Sequence, residues 1–269
     1  MAGTAHAGRD CAAARPTVEA VTQGLALAQR TAAALDASGA RVVVLARAGQ
    51  DLQKYGLRWS HLGYAYRTPE GPWRVVHKLN RCGTAVAEVW RHGLGDFFLD
   101  GLWRHEAAWS VPAPAVQDRL MALLADPHRT LRLDTPAYSL VSHPWAQRYQ
   151  QSNQWALETL AAAMEPDRVH DRSQAQAWLR LQGYRPTVLR LGPLTRLGGR
   201  IGSAHIAFDD HPPADRFADR IATVTVDSVF DWLQASGWGA APVVLPVAPD
   251  DPIRSKTGSS AYCACATSY

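Results

Sequence analysis

Hydrophobic and polar positions along the chain follow two different periods, and each change of period marks a predicted element. From Pro16 to Asp36 apolar residues recur at helical spacing, with Thr17 placed to cap the helix and Gly39 placed to end it. The β-branched run Arg41–Arg47 then predicts a buried strand. Further strands are predicted at Trp59–Tyr66, Trp73–Leu79, Trp103–Val111, Arg185–Leu191 and Ile221–Val226, and further helices at Ala113–Ala125, Ser152–Met164, Gln174–Leu181 and Asp227–Ala235.

These elements predict a single α+β domain over residues 16–247. We expect an antiparallel sheet with the helix Ser152–Met164 packed centrally on its apolar face. No internal repeat and no long linker divides this stretch. Residues 1–15 are interpreted as an N-terminal arm. Residues 248–269 are interpreted as a disordered tail, because their composition is rich in Ser, Thr and Ala.

Two histidines fall on a predicted β-hairpin. If residues 67–71 form its loop, Tyr66 pairs with Pro72 and paired residue numbers sum to 138. His61 and His77 would then lie directly opposite each other on one apolar face. One imidazole could accept a proton while the other fixes its tautomer, as a general base requires. The alternative is a pair of half-buried structural histidines.

A polar segment, Tyr149–Trp155, leads into the helix predicted at Ser152–Met164. A nucleophile in the first turn of a helix gains from the positive helix terminus and from backbone N–H groups that can bind an oxyanion. Ser152 is therefore a candidate nucleophile, although a serine hydroxyl needs a strong base beside it. The alternative is that Ser152 is only the N-cap of the helix.

Composition and charge narrow the class of protein. The 269 residues include 28 Lys+Arg and 24 Asp+Glu, a formal net charge of +4, and 47% are hydrophobic. These values are typical of globular chains and exclude a disordered or fibrous one. Most basic residues are scattered arginines without the basic stripe of a nucleic-acid-binding protein, so nucleic acid is not an expected partner. No apolar run approaches the roughly 18 residues of a membrane span.

No cofactor is expected, and no metal site is predicted. Four residues could ligate zinc or iron in principle, namely His205, Asp209, Asp210 and His211. An Asp-Asp-His-Pro run is more typical of a turn whose side chains bond to their own backbone.

The start of the chain and its cysteines indicate export. Ala5-His6-Ala7 is a small-x-small tripeptide of the kind that precedes signal-peptidase cleavage, although an ordinary Ala/Gly-rich start looks similar. We therefore expect a periplasmic or secreted protein. In such a compartment Cys11 and Cys82 could form a disulfide that ties the arm to the domain.

Several motifs resemble those of known families. The segment 56–63, GLRWSHLG, resembles the histidine strand of permuted papain-like proteins, which include NlpC-type amidases and relatives of lecithin:retinol acyltransferase. From Arg41 to about Leu233 the chain resembles the bacterial domain of unknown function 2145. The motifs that carry this second resemblance are WRVVH at 73–77, NRCG at 80–83, RYQQSNQW at 148–155, GYRP at 183–186 and FDDHP at 208–212.

The papain-like resemblance implies a permuted papain-like fold and assigns roles to particular residues. His61 would be the general base and His77 the residue that orients it. Ser152 stands where the superfamily has its nucleophilic cysteine, and the backbone N–H of Ser152 or Asn153 would hold the oxyanion. Tyr149 would border the substrate.

The expected function is a secreted papain-like amidase, peptidase or acyltransferase that acts on a peptide-like or acyl substrate, including cell-wall material. Trp59 is expected to line its substrate groove, together with Asn153. Replacing sulfur by oxygen usually costs a thiolate-type site most of its rate, because a hydroxyl is not ionised near neutral pH. The alternative is a non-catalytic envelope protein of the same fold that binds a cell-wall or protein ligand. A third hypothesis, a metal-dependent hydrolase, needs His205 and Asp209 to converge with another ligand.

Overall fold

A computed structural model describes residues 16–69, 71–81, 83–202 and 204–247. The predicted arm, the predicted tail and the predicted Cys11–Cys82 disulfide lie outside these residues. The helices are α1 (Val18–Ser38), α2 (Leu94–Leu99), α3 (Pro114–Leu124), α4 (Pro127–Leu131), α5 (Ser152–Met164), α6 (Arg172–Leu181), α7 (Pro193–Gly202), α8 (Pro213–Phe217) and α9 (Val226–Ala235). The strands are β1 (Val42–Ala48), β2 (His61–Tyr66), β3 (Arg74–Asn80), β4 (Ala87–Gly93), β5 (Arg104–Ser110), β6 (Thr187–Arg190), β7 (Arg220–Thr223) and β8 (Val243–Leu245).

Local sequence signals set the bounds of α1 and α5. The Thr17 hydroxyl accepts a hydrogen bond from the Ala20 N–H over 3.1 Å, and Gly39 closes α1 with a left-handed φ of 67°. Helix α5 spans the predicted residues, but its N-cap is Gln151. The interpretation of Ser152 as the N-cap is therefore wrong, because the Gln151 side chain takes the capping role.

The main sheet has six antiparallel strands in the order β4-β3-β2-β1-β5-β8, and β6 pairs with β7 in a separate two-stranded sheet. Strand β1 is buried along its whole length because helices cover both faces of the sheet. Val43 and Leu45 pack with α1 and α2, whereas Val42 and Val44 pack with α3 and α5. The predicted α+β class, with an antiparallel sheet and a central packed helix, is confirmed.

Helix α5 covers the face of the sheet opposite to the one that was predicted. Leu62, Tyr64 and Val76 share its hydrophobic core, and the Tyr64 hydroxyl donates a hydrogen bond to the carbonyl of Ala156 in α5. His61 and His77 point the other way, toward α2. The even-numbered residues of β2 carry the large side chains that a helix can bury, and this decides which face α5 covers.

The register of the β2–β3 hairpin differs from the predicted one by two residues. Tyr64 pairs with Val76 and Tyr66 with Arg74, so paired numbers sum to 140 rather than 138. Trp73 stays outside the ladder, and its indole N–H donates to Asp36 of α1 over 2.7 Å. A shift of two residues keeps each side chain on its face, because side chains alternate with a period of two. The two histidines therefore share a face but lie diagonally, not opposite each other.

The described helices include none that is long and apolar enough to cross a membrane.

Candidate active site

The polar segment before α5 is held in place by its own side chains. Gln151 Oε1 accepts a hydrogen bond from the Asn153 N–H over 2.9 Å, and Asn153 Oδ1 accepts one from the Leu62 N–H over 3.1 Å. Leu62 directly follows His61 in β2. A direct hydrogen bond therefore ties the first turn of α5, which carries Ser152, to the start of the strand that carries His61.

Two adjoining cavities meet at Ser152 and His61, and both residues line both cavities. The smaller cavity has a volume of about 280 Å³ and reaches the polar side chains of Arg47, Asp100 and His205. The larger has a volume of about 660 Å³. Its wall is largely apolar and includes Leu57, Leu189, Leu191, Leu194, Ile206 and Phe208.

Ser152 is 6% exposed, and Tyr138 lines the same two cavities beside it. Burial raises the pKa of Tyr138 to about 12, so the phenol is protonated at neutral pH. Among the residues that the structure describes, no hydrogen bond joins Ser152 to His61. The Asn153 N–H is engaged by Gln151, which excludes it as the predicted oxyanion donor and leaves the N–H of Ser152 for that role.

Three imidazole rings form a hydrogen-bonded chain on the α2 side of the sheet. His61 Nε2 lies 2.9 Å from His77 Nδ1, and His77 Nε2 lies 3.0 Å from His92 Nδ1. The Phe97 ring packs against the first two rings, with centroid distances of 5.8 and 5.2 Å. We call His61, His77 and His92 the imidazole chain.

Gly63 makes room for this arrangement. A Cβ at position 63 would lie 2.8 Å from the Cβ of His77 and 2.9 Å from the carbonyl oxygen of Val76. Both distances are shorter than van der Waals contact, so a side chain here would push β3 away. The absence of a side chain lets the His77 ring lean across toward His61.

The charge that faces the imidazole chain is positive. Arg47 of β1 forms an ion pair with Asp100 and donates a hydrogen bond to the Phe97 carbonyl. Burial, then Arg47, then His77 hold the pKa of His61 well below its usual range. Burial, then Arg47, then His92 lower the pKa of His77 to about 2. Both rings are therefore neutral at pH 7.

This arrangement can support proton transfer at a hydroxyl. Because Nε2 of His61 is engaged by His77, Nδ1 is the ring nitrogen left for a group in the cavities. His61 can accept a proton at Nδ1 only in the tautomer in which its Nε2–H donates to His77 Nδ1. The site differs from a Ser-His-Asp triad in that a second imidazole, not a carboxylate, takes the orienting position.

The other predicted substrate residues divide into two groups. Trp59 and Asn153 line the larger cavity. Tyr149 lines neither cavity, and its ring lies 5.3 Å from the Arg148 guanidinium carbon.

The four residues considered as metal ligands do not converge. Asp209 forms an ion pair with Arg148 over 2.8 Å, Asp210 accepts a hydrogen bond from the His143 N–H, and His211 Nε2 donates to the Val141 carbonyl. Over the described ranges, no group of three or more His, Cys, Asp or Glu side chains is placed to hold a metal ion. The third hypothesis, a metal-dependent hydrolase, therefore lacks the convergence that it needs.

Sequence reasoning missed three residues of the site: Arg47, His92 and Tyr138. Two of them had a usable signal. Arg47 ends an otherwise apolar strand, and His92 lies in the segment 87–93, where Ala and Val alternate with larger polar or aromatic residues. Tyr138 lies in an irregular segment, and its closeness to Ser152 depends on tertiary structure alone.

Comparison with protein families supports one of the two resemblances. Residues 34–233, most of the chain, match the family described as "Uncharacterized protein conserved in bacteria (DUF2145)". All of the motifs between 73 and 212 that carry this resemblance lie within the matched region. Comparisons with curated proteins and with solved structures give no match. The chain therefore belongs to the DUF2145 family of bacterial proteins.

Proposed function

We propose that the protein is an exported acyl-transfer enzyme, an amidase, peptidase or acyltransferase of the permuted papain-like type. Ser152 would be its nucleophile, His61 its general base and His77 the residue that orients the base. The observation that carries this proposal is that Ser152 and His61 line the same two cavities and are tied together by the Asn153–Leu62 hydrogen bond.

These positions support the following reaction. Ser152 Oγ attacks a carbonyl carbon while its proton passes to Nδ1 of His61, and the backbone N–H of Ser152 donates to the oxyanion. The bond to the leaving amine or alcohol then breaks as that group takes the proton back. Water or a second acceptor attacks the acyl-serine by the reverse sequence and releases the acyl group.

The larger cavity supports a substrate with an apolar part next to the reacting carbonyl. A wall of leucine, isoleucine and phenylalanine side chains binds alkyl or aromatic groups by removing their surface from water. A peptide with an apolar side chain and a fatty acyl group both have this chemistry. We propose that the protein meets such substrates in the periplasm or outside the cell.

A second candidate function has its own supporting observation. Burial, and then the Arg47 guanidinium, disfavour the imidazolium that a general base must become, and together they hold the pKa of His61 low. The same pair, a serine beside a weakly basic imidazole, is expected where serine has replaced the nucleophilic cysteine of an enzyme and activity has been lost. On this reading the protein binds a cell-wall or protein ligand in the same cavities without turning it over.

A fluorophosphonate probe tests the enzyme function, because it reacts only with an activated serine. We expect one adduct on the wild-type protein by intact mass, mapped to Ser152 and absent from Ser152→Ala. His61→Phe should slow labelling by about 100-fold or more, the contribution of a general base. Ser60→Ala is the matched control, since Ser60 also lines both cavities and its variant should keep the adduct.

The same experiment distinguishes the second function. Wild-type protein that stays unlabelled, together with a Ser152→Cys variant whose alkylation by iodoacetamide depends on His61, would support the non-catalytic binding protein. If the wild-type protein stays unlabelled and the Ser152→Cys variant is alkylated at an ordinary rate that does not depend on His61, the enzyme function and the derivation of this site from a cysteine enzyme are both rejected.

A further inference from the structure

The third imidazole, His92, has no assigned role in the chemistry above, although it continues the chain from the cavities toward the edge of the sheet. Strand β4, which carries His92, is the edge strand, and the His92 ring is only partly buried. His61 and His77, in contrast, are 8% and 0% exposed. The chain therefore runs from the cavity wall through the buried interior to a partly exposed position.

Each neighbouring pair in the chain uses opposite nitrogens of successive rings. His61 offers Nε2 to Nδ1 of His77, and His77 offers Nε2 to Nδ1 of His92. A neutral imidazole carries one proton, so each contact needs a donor on one side and a lone pair on the other. The neutral rings can satisfy both contacts only if all three share one tautomer. Either every ring is protonated at Nε2, or every ring is protonated at Nδ1.

Movement from the first arrangement to the second transfers one proton through the chain. The Ser152 hydroxyl proton passes to His61 Nδ1, the His61 Nε2 proton to His77 Nδ1, and the His77 Nε2 proton to His92 Nδ1. His92 then holds two protons and gives its Nε2 proton to solvent. No bond other than N–H and O–H bonds changes, and the reverse movement returns a proton to the cavity for the leaving group.

We propose that the imidazole chain is a proton relay, in which His92 is a positioning residue that exchanges with solvent the proton taken from Ser152. The inference rests on the proposed function for its use, but the tautomer coupling itself does not. The charged and aromatic groups that pack on the chain are Arg47 with Asp100 on the β1 side, Phe97 on α2 and Trp90 on β4.

The position of the positive charge favours a relay over a single base. Burial, and then Arg47, disfavour an imidazolium at His61 or His77, where the ring would be far from water and close to the guanidinium. A concerted shift leaves no charge on either buried ring. The shift places the positive charge of the transferred proton on His92, where partial exposure allows water to stabilise that charge.

The tautomers can be read directly by long-range ¹H–¹⁵N correlation spectra of the full-length protein labelled with ¹⁵N-histidine. We expect His61 and His77 to be neutral and to share one tautomer in the wild-type protein. In His92→Phe the ring nitrogens of His61 should shift although the two residues do not touch, because loss of the last partner changes the tautomer balance of the whole chain. His128→Phe, the same change at an exposed histidine of α4, should leave His61 unchanged. Different tautomers at His61 and His77, or a His61 signal that ignores His92→Phe, overturns the relay.

A kinetic readout uses the Ser152→Cys background and the rate of alkylation by iodoacetamide. We expect His92→Phe to slow alkylation by about tenfold, and His92→Gln, which keeps a polar group of similar reach, to recover part of this loss. An unchanged rate in a folded His92→Phe variant overturns the role of His92 even if the tautomers are coupled. Failure of the probe to label wild-type Ser152 bears on the proposed function alone, since the spectra do not depend on Ser152.

Discussion

His77 and Lys78 are neighbours on β3, yet their side chains enter two buried polar clusters of opposite design. Lys78 points toward α5, where its ammonium donates to Asp134 Oδ1 at 2.7 Å, to the Thr135 carbonyl at 2.6 Å and to Gln150 Oε1 at 2.8 Å. All three of its protons are used. His77 points toward α2, where it meets two other imidazoles and the positive charge of Arg47.

The Lys78 cluster alternates positive and negative charges. Gln150 links Lys78 to Glu158, and Arg172 donates to Glu158 over 2.8 Å. Every charge here has an opposite partner, which is what burial of charge requires for stability. Over the described residues no carboxylate is hydrogen-bonded to His61 or His77, and these two rings are held neutral instead. The comparison indicates that one cluster secures the segment before α5 by paired charges, while the other holds neutral imidazoles, of which His61 lines the cavities.

Removing one partner from the Lys78 cluster should give the largest loss of stability. Arg172→Met leaves Glu158, whose side chain is 1% exposed, as an uncompensated buried charge. We expect the free energy of unfolding to fall by about 3–5 kcal/mol in urea denaturation. Arg41→Met removes an exposed ion pair with Asp118 and should change it by less than about 1 kcal/mol. Equal effects of the two variants would show that the cluster is not what secures α5.

The next effect concerns the space that the imidazole chain needs. Gly63→Ala places a methyl group 2.8 Å from the His77 Cβ, so we expect a loss of about 1–3 kcal/mol of unfolding free energy and slower labelling of Ser152. Gly192→Ala is the matched control, because a Cβ at Gly192 meets nothing within 4 Å. If Gly63→Ala labels at the wild-type rate, the contact between His61 and His77 does not matter for the base.

Much of this architecture could be predicted from local signals, and the failures have physical causes. Helices α1 and α5 were predictable because caps and apolar periodicity are local. That His61 and His77 share a face was also predictable, since it needs only the period of two. Their register was not, because it depends on Trp73 leaving the ladder to reach Asp36 of α1.

The candidate site was predictable only in part. Ser152, His61 and His77 follow from motifs, but the face that α5 covers depends on which side chains of β2 pack best in three dimensions. Strand β4 escaped prediction because it is a half-exposed edge strand with Glu88, Trp90 and His92 on alternate positions. Its alternation of small apolar with larger side chains stops at Arg91, so the signal is weaker than that of a buried strand. The end of the imidazole chain was therefore missed with it.

Acid should lower the free energy of unfolding through the imidazole chain, and His77 is the residue whose contribution can be followed. The folded-state pKa of His77 is about 2, below its unfolded value near 6.5, so the unfolded chain binds more protons between these values. The neutral His77 ring therefore makes its full contribution to the free energy of unfolding above pH 6.5, and this contribution is lost as pH falls toward 2. Between pH 7 and pH 5 we expect wild-type protein to lose about 2 kcal/mol more unfolding free energy than His77→Phe. Parallel pH profiles for the two proteins would mean that His77 is not held neutral by the fold.

The smallest expected effect on stability comes from Tyr138, which lies beside Ser152. Tyr138→Phe removes the phenol beside Ser152 in the cavity wall and should change the unfolding free energy by about 1 kcal/mol or less. If the phenol competes with His61 for the serine hydroxyl, fluorophosphonate labelling should become a few times faster. Labelling that instead falls tenfold would place Tyr138 in the reaction itself.

The most direct test of the central claim is the distance between Ser152 Oγ and His61 Nδ1 in a crystal structure. The proposed chemistry predicts a separation of about 3 Å, or roughly 4 Å in a relaxed site without ligand, with Nδ1 facing the cavities. A serine hydroxyl well beyond reach of the ring, or a His61 ring whose Nδ1 is buried against Phe97, would contradict the claim.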